Sequence, residues 1–154
     1  MAKNALAIAC DHAGLELKNE VKRYVLELGY EVEDFGTDTT EKVDYPDFAR
    51  EVSERVSSGQ YKRGILVCSS GVGMAIVANK YPRVRAVLAG DAHTALMSRK
   101  HNDANVLTLG ANITPKEKAL EIVSVWLRTE FEGGRHEKRI NKIRDIEKEA
   151  KQNE

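Results

Sequence analysis

The strongest constraint on this chain is an alternation that repeats five times. Short apolar runs occur at 5–10 (ALAIAC), 64–68 (GILVC), 85–89 and 106–109, with a weakly alternating stretch at 30–35. A segment of helical period follows each run. Apolar residues recur at 17, 21, 24, 25 and 28 before Gly29, and Phe48, Ala49, Val52 and Val56 lie between Pro46 and Gly59. Further helices are read at 74–80 and 92–100. Another runs from Pro115 through Leu127, with Ala119, Leu120, Val123 and Leu127 on one face. Strands of four to six residues, apolar on both faces, are covered by helices on both sides of a parallel sheet. The expected fold class is therefore α/β, a single-domain Rossmann-like sandwich with a five-stranded parallel sheet flanked by helices.

A chain of 154 residues buries roughly 70% of its extended surface, so it needs no staple to fold. No stretch is left over for a second domain, and the domain is read as 1–154. Lys plus Arg number 24, as do Asp plus Glu, for a formal net charge of zero. Such a chain has no bulk field to attract nucleic acid or anionic lipid, and neither partner is expected. Two cysteines, Cys10 and Cys68, argue against a disulfide scaffold. Asp11, His12, Glu16, Lys18 and Glu20 interrupt any apolar run near the start, so no membrane segment is expected and the cytoplasm is the default location. The segment 135–151 carries a thin stripe of Ile140, Ile143 and Ile146. It reads equally as a helix on the domain surface or as an arm laid on a partner subunit.

Parallel sheets bind ligands beyond the C-terminal ends of their strands. Here those ends carry Cys10, Asp11 and His12; Cys68, Ser69, Ser70, Gly71 and Gly73; Gly90 and Asp91; and Gly110 to Asn112. In the turn CSSGVG, the glycines let backbone N–H groups approach a phosphate or a developing oxyanion. A tight strand-to-helix turn with no ligand reads the same way. Cys68 at a helix start suits a nucleophile or general base. A small buried hydrophobe is its plain alternative, and Cys10 fits that alternative better. His101, at a helix end, is a cap or a general acid–base group. Arg135 and Arg139, four apart beside His136, share a face suited to a phosphate, or form a solvated helix start with Glu137.

Several other chemistries fail on spacing. The positions after the turn are Gly73, Met74 and Ala75, so a phosphatase loop lacks its arginine. G-x-G-x-x-G after the first strand, a Walker loop and G-x-S-x-G are all missing. His12, Cys68, Asp91 and His101 show no paired ligand spacing, so no metal and no cofactor are expected.

The chain resembles the type B ribose-5-phosphate isomerases, a family that also holds the galactose-6-phosphate isomerase subunits. The matching stretches are CDHAG at 10–14, DYPDFA at 44–49, GILVCSSGVGMAIVANK at 64–80, RVRAVLAGD at 83–91, SRKHNDANVLTLG at 98–110 and FEGGRHEKRI at 131–140. The resemblance implies an aldose–ketose isomerase working through a cis-enediolate without metal. It assigns Cys68 as the base that moves a proton between C1 and C2. Ser70 would lie beside an anion hole made with the N–H groups of Gly71 and Gly73, next to Ser69. Asp11 and His101 would open the sugar ring. His12, Arg135 and Arg139 would hold the phosphate, the arginines reaching across from a second subunit, and Tyr45 and Asn102 would line the substrate.

A homodimer or homotetramer with shared sites is implied, with a small sugar phosphate as ligand. The sequence departs from the family pattern at Asn112, where many members carry a phosphate-binding arginine, and at Ser69, commonly glycine. Allose or galactose 6-phosphate therefore stays open as substrate, as does a non-catalytic sugar-phosphate-binding role on the same fold.

Overall fold

A computed structural model describes residues 5–153. The five strands are β1 (Ala5–Cys10), β2 (Glu31–Asp34), β3 (Arg63–Cys68), β4 (Ala86–Leu88) and β5 (Val106–Gly110). All pair in parallel, in the order β2-β1-β3-β5-β4. The helices are α1 (Leu15–Glu27), α2 (Tyr45–Ser57), α3 (Val72–Ala78), α4 (Ala92–Asn102), α5 (Lys116–Arg128) and α6 (Arg135–Gln152). One apolar layer packs Val21, Val25, Ile122 and Trp126 against one face of the sheet. A second packs Val52, Val56 and Met74 against the other. The α/β sandwich with helices on both faces is the architecture the alternating pattern predicts.

The two outer strands differ from that pattern. β2 is EVED, with alternate residues exposed, and β4 has only three residues and no buried one. Both lie at sheet edges, where only one face and one flank need cover. β2 is anchored instead by a buried ion pair. Lys18 is 2% exposed, and its Nζ meets Asp34 Oδ2 at 2.6 Å and Thr37 O at 3.2 Å. Burial by itself raises the Asp34 carboxyl, but hydrogen bonds from Lys18, the Gly36 N–H and Lys22 outweigh it and hold the group below its ordinary value.

α6 lies on its own domain at its start. His136 and Ile140 are buried, and Glu147 accepts a hydrogen bond from the Arg83 N–H at 3.0 Å. Ile143 and Ile146 remain exposed. The stripe is thus split between cis burial and a free apolar edge. Among the described residues no helix is long and apolar enough to cross a membrane.

Candidate active site

The strand order reverses between β1 and β3, so a crevice opens beyond their C-terminal ends. β1 delivers Asp11, whose N–H donates to Val67 O at 3.2 Å and whose Oδ1 accepts from the Gly14 N–H at 3.0 Å. The buried carboxylate therefore caps the short 3-10 turn His12–Gly14. His12 Nδ1 accepts from the Val43 N–H at 3.1 Å, which leaves Nε2 to carry the proton and act as a donor.

β3 delivers Cys68, 5% exposed, whose Sγ accepts from the Gly71 N–H at 3.1 Å. That contact needs the chain to fold back at once. Gly71 does so at φ 79°, in the left-handed region that glycine enters without strain. Thr108, fully buried on β5, donates to Gly71 O at 2.9 Å and pins the turn. Ser70 Oγ accepts from the Val72 N–H, and Ser69 Oγ from Asn112 Nδ2 at 2.7 Å. Asn112 thus braces the turn from the strand end where an arginine was expected in the family pattern.

Tyr45 opens α2 with its ring against Gly73, so close that a Cβ there would lie 2.6 Å from Cε2. Asp11, Cys68, Ser69, Ser70, Gly71, Gly73 and Tyr45 therefore gather at one edge of the sheet. Because the Gly71 N–H is committed to sulfur, the Gly73 N–H in the first turn of α3 is left for an oxyanion. The two cysteines differ sharply. Cys10 faces the opposite apolar layer and burial pushes its thiol up to about 12, so it is a core residue.

A strand-end cysteine, a pinned glycine turn and a carboxylate on the adjacent strand end make up this edge. Residues 6–143 match the family model described as Ribose/Galactose Isomerase. The chain belongs to the ribose/galactose isomerase family. It is 44% identical over 142 residues to ribose-5-phosphate isomerase B of Escherichia coli, covering 92% of this chain and 95% of that protein. It is 40% identical to D-erythrulose-4-phosphate isomerase of Pectobacterium atrosepticum, covering 96% and 97%. The solved ribose-5-phosphate isomerase B of Clostridium thermocellum superposes with a TM-score of 0.93 at 48% identity, covering 95% of this chain and 99% of that one.

The remaining residues that the family resemblance singles out lie elsewhere in this protomer. A helix that follows a parallel strand runs back against it, so its C-terminus returns to the N-terminal edge of the sheet. His101 and Asn102 occupy the last turn of α4 and lie there. Asn102 O accepts from Arg85 Nε, one residue ahead of β4. The His136 ring stacks on His101 with centroids 4.1 Å apart, which brings the start of α6, with exposed Arg135 and Arg139, to the same edge. β3 alone, at about 3.3 Å per residue, separates the two edges by roughly 16 Å. His101 therefore does not join the strand-end cluster within one chain: the two groups face opposite ways.

A cavity of about 580 Å³ also opens at this far edge. Its arginines are tied to the backbone: Arg63 to Trp126 O and Leu127 O, Arg99 to Ala104 O and Thr129 O. They close the ends of α4 and α5 and offer no reacting group.

Two contributors escape sequence reading, and one spacing is legible but unused. Lys18 looks like a solvated helix position, and Thr108 like one more residue of an apolar strand. Glu132 and His136 are four apart, a ligand spacing that is present in the sequence.

Proposed function

We propose that this chain interconverts D-ribose 5-phosphate and D-ribulose 5-phosphate at a site assembled from two copies of itself. The observation that carries the reading is the separation just described. One edge holds a base, a carboxylate and an oxyanion donor. The opposite edge exposes two arginines and a histidine, and a second copy supplies them if the edges meet. The Cys68 edge is ringed by exposed apolar side chains suited to such a meeting: Tyr45, Val72, Ile76, Leu88 and Ile113. Exposed Ile143 and Ile146 extend the apolar surface on α6.

In this scheme the phosphate is held by His12 Nε2–H together with Arg135 and Arg139 of the partner subunit. Asp11 and the partner subunit's His101 exchange protons with the ring oxygen and the anomeric hydroxyl, which opens the furanose. The Cys68 thiolate then takes the proton from C2. The C2–H electron pair forms the C1–C2 double bond, and the carbonyl pair moves onto O1. The Gly73 N–H and the Ser70 hydroxyl face that negative charge, and fixed donors of this kind stabilise it without reorganising. The proton of the O2 hydroxyl passes to O1, the carbonyl re-forms at C2, and the Cys68 thiol returns its proton to C1. Asn102 of the partner subunit and Tyr45 line the chain of the sugar.

A shorter or longer sugar is the second reading. A relative 40% identical is named for a four-carbon substrate, and Asn112 leaves one phosphate ligand of the family pattern missing. The test is a rate panel on ribose, erythrose, allose and galactose phosphates without added metal. Ribose 5-phosphate with the highest kcat/KM supports the assignment. A higher value for another sugar replaces it, and no turnover of any sugar with retained phosphate binding selects the non-catalytic role.

A further inference from the structure

The last turn of α4, the loop after α5 and the first turn of α6 bring three ligand-bearing side chains to one point, away from the Cys68 crevice. His101 Nε2 and His136 Nε2 lie 3.7 and 3.6 Å from the same oxygen, Oε1 of Glu132. The ligand atoms of the three groups all fall within 4.8 Å of one another. The nitrogen–oxygen separations are too long for good hydrogen bonds. They lie close to the edge, about 3.3–3.4 Å, of a tetrahedron whose corners stand 2.0–2.1 Å from a central ion, the distances zinc keeps to imidazole and carboxylate.

A second observation is independent of those distances. His136 is 5% exposed, and its Nε2 is buried with no hydrogen-bond partner. Interiors rarely leave such a nitrogen unsatisfied, and this one points at the Glu132 carboxylate. The frame around it is fixed. The Glu132 N–H donates to Lys100 O at 3.2 Å, the His136 N–H to Gly133 O at 3.1 Å, and Ile140 is buried one turn further on. The imidazole rings are stacked at 16°, so His101, which is partly exposed, must turn about its ring axis to share an in-plane ligand with His136.

We infer that His101, Glu132 and His136 form a binding site for Zn²⁺, with water as the fourth ligand. Two imidazoles and one carboxylate are a nitrogen-rich set, which disfavours Mg²⁺ and Ca²⁺ and favours the late first-row dications. Arg135 and Arg139 flank His136 in the first turns of α6, and two positive charges so placed work against a bound cation. That field opposes every cation and leaves only those that imidazole binds strongly. Zinc bound here would occupy the lone pair of His101 Nε2 and so remove that nitrogen from proton exchange. Binding stands on the geometry alone; the inhibition rests on the ring-opening role proposed for His101.

The experiment is a Co²⁺ titration of the full chain after chelation, followed in the visible spectrum, with Zn²⁺ as displacing ion. The expected result is one ion per chain with low-symmetry d–d bands. Affinity should fall at least tenfold in Glu132→Gln and in His136→Gln, and stay unchanged in Cys68→Ser. Glu132 is half exposed, so its variant tests the site even if loss of the buried histidine disturbs the fold. Absence of binding overturns the proposal, as does a cobalt–thiolate charge-transfer band that vanishes in Cys68→Ser. In kinetic assays, Zn²⁺ should inhibit ribose 5-phosphate turnover, and at least tenfold more of it should be needed in Glu132→Gln. Cobalt bound as expected without inhibition leaves the site standing and removes His101 from the reaction.

Discussion

Gly73→Ala separates the stability of the turn from its function. Gly73 lies within α3 with ordinary helical dihedrals, so alanine is allowed there by the backbone. What it meets is Tyr45: a Cβ would stand 2.6 Å from Cε2 and 2.7 Å from Cζ. To reach an ordinary contact the ring must move by about 0.8 Å or more, and because Tyr45 is 40% exposed it has room to swing outward. Replacing glycine in a helix by alanine contributes about 0.5–1 kcal/mol. Losing part of a half-exposed ring contact costs a similar amount. The net change should stay within about 1 kcal/mol, or roughly 4 °C in Tm for a chain of this size. Activity should respond far more, since a misplacement near 1 Å can cost on the order of a hundredfold.

The assay is kcat/KM on ribose 5-phosphate beside a thermal melt, in wild-type and Tyr45→Ala backgrounds. We expect a ten- to hundredfold fall in the first background and little further effect in the second, because the ring is then already gone. A kcat/KM unchanged in the wild-type background would refute the placement of Tyr45 and Gly73 at the substrate. A Tm lowered by 10 °C would refute the freedom of the ring to move.

Cys68→Ser should lose at least about a thousandfold in kcat with KM little changed, because a hydroxyl is far less acidic than a thiol; retention of near-normal turnover removes Cys68 as the base. Cys10→Ala should flatten the alkaline limb of the stability curve. A thiol raised from 9.0 to about 12 keeps its stabilising effect below pH 9 and loses it as pH rises towards 12, so an unaltered limb in urea melts across that range contradicts the assignment. Asp34→Asn should cost about 3 kcal/mol by leaving buried Lys18 without its anion. It should also flatten the acid limb, because a depressed carboxylate stabilises above its unfolded value near pH 4 and stops doing so as pH falls through its folded one.

What the sequence revealed followed burial. β3 and its turn are legible because GILVC is buried over nearly its whole length and the polar residues begin at once after it. The same logic overreaches at β2 and β4, where edge strands need no second apolar face. α2 opens at Tyr45, one residue ahead of the Pro46 that marks its start in the sequence, a difference usual at helix ends. Lys18 is invisible to periodicity because its burial depends on Asp34, sixteen residues away and on another element. The split of the site was within reach of sequence reasoning, however. Once 92–100 is read as a helix after a parallel strand, its end must return to the far edge of the sheet, and His101 must go with it.

That split makes a subunit-mixing experiment decisive. Cys68 and Asp11 stand at one edge, and Arg135, Arg139 and His101 at the other, with roughly 16 Å of strand between the edges. No side-chain rotation closes that gap, so a single chain cannot present both sets to one sugar phosphate. Under the proposed roles, Cys68→Ala removes the base and Arg135→Ala/Arg139→Ala the phosphate clamp, so each variant is expected to be inactive alone. In a mixed C2 dimer with sites shared across the interface, one site collects both defects and the other has neither. Activity should then return to about half the wild-type value per mixed dimer. If the arginines serve their own chain's site, every site in every mixture carries one defect and no activity returns. Native mass spectrometry must show that mixed dimers formed; with them present and the mixture still inactive, the shared-site reading fails and the exposed apolar edge around Tyr45 and Val72 needs another occupant.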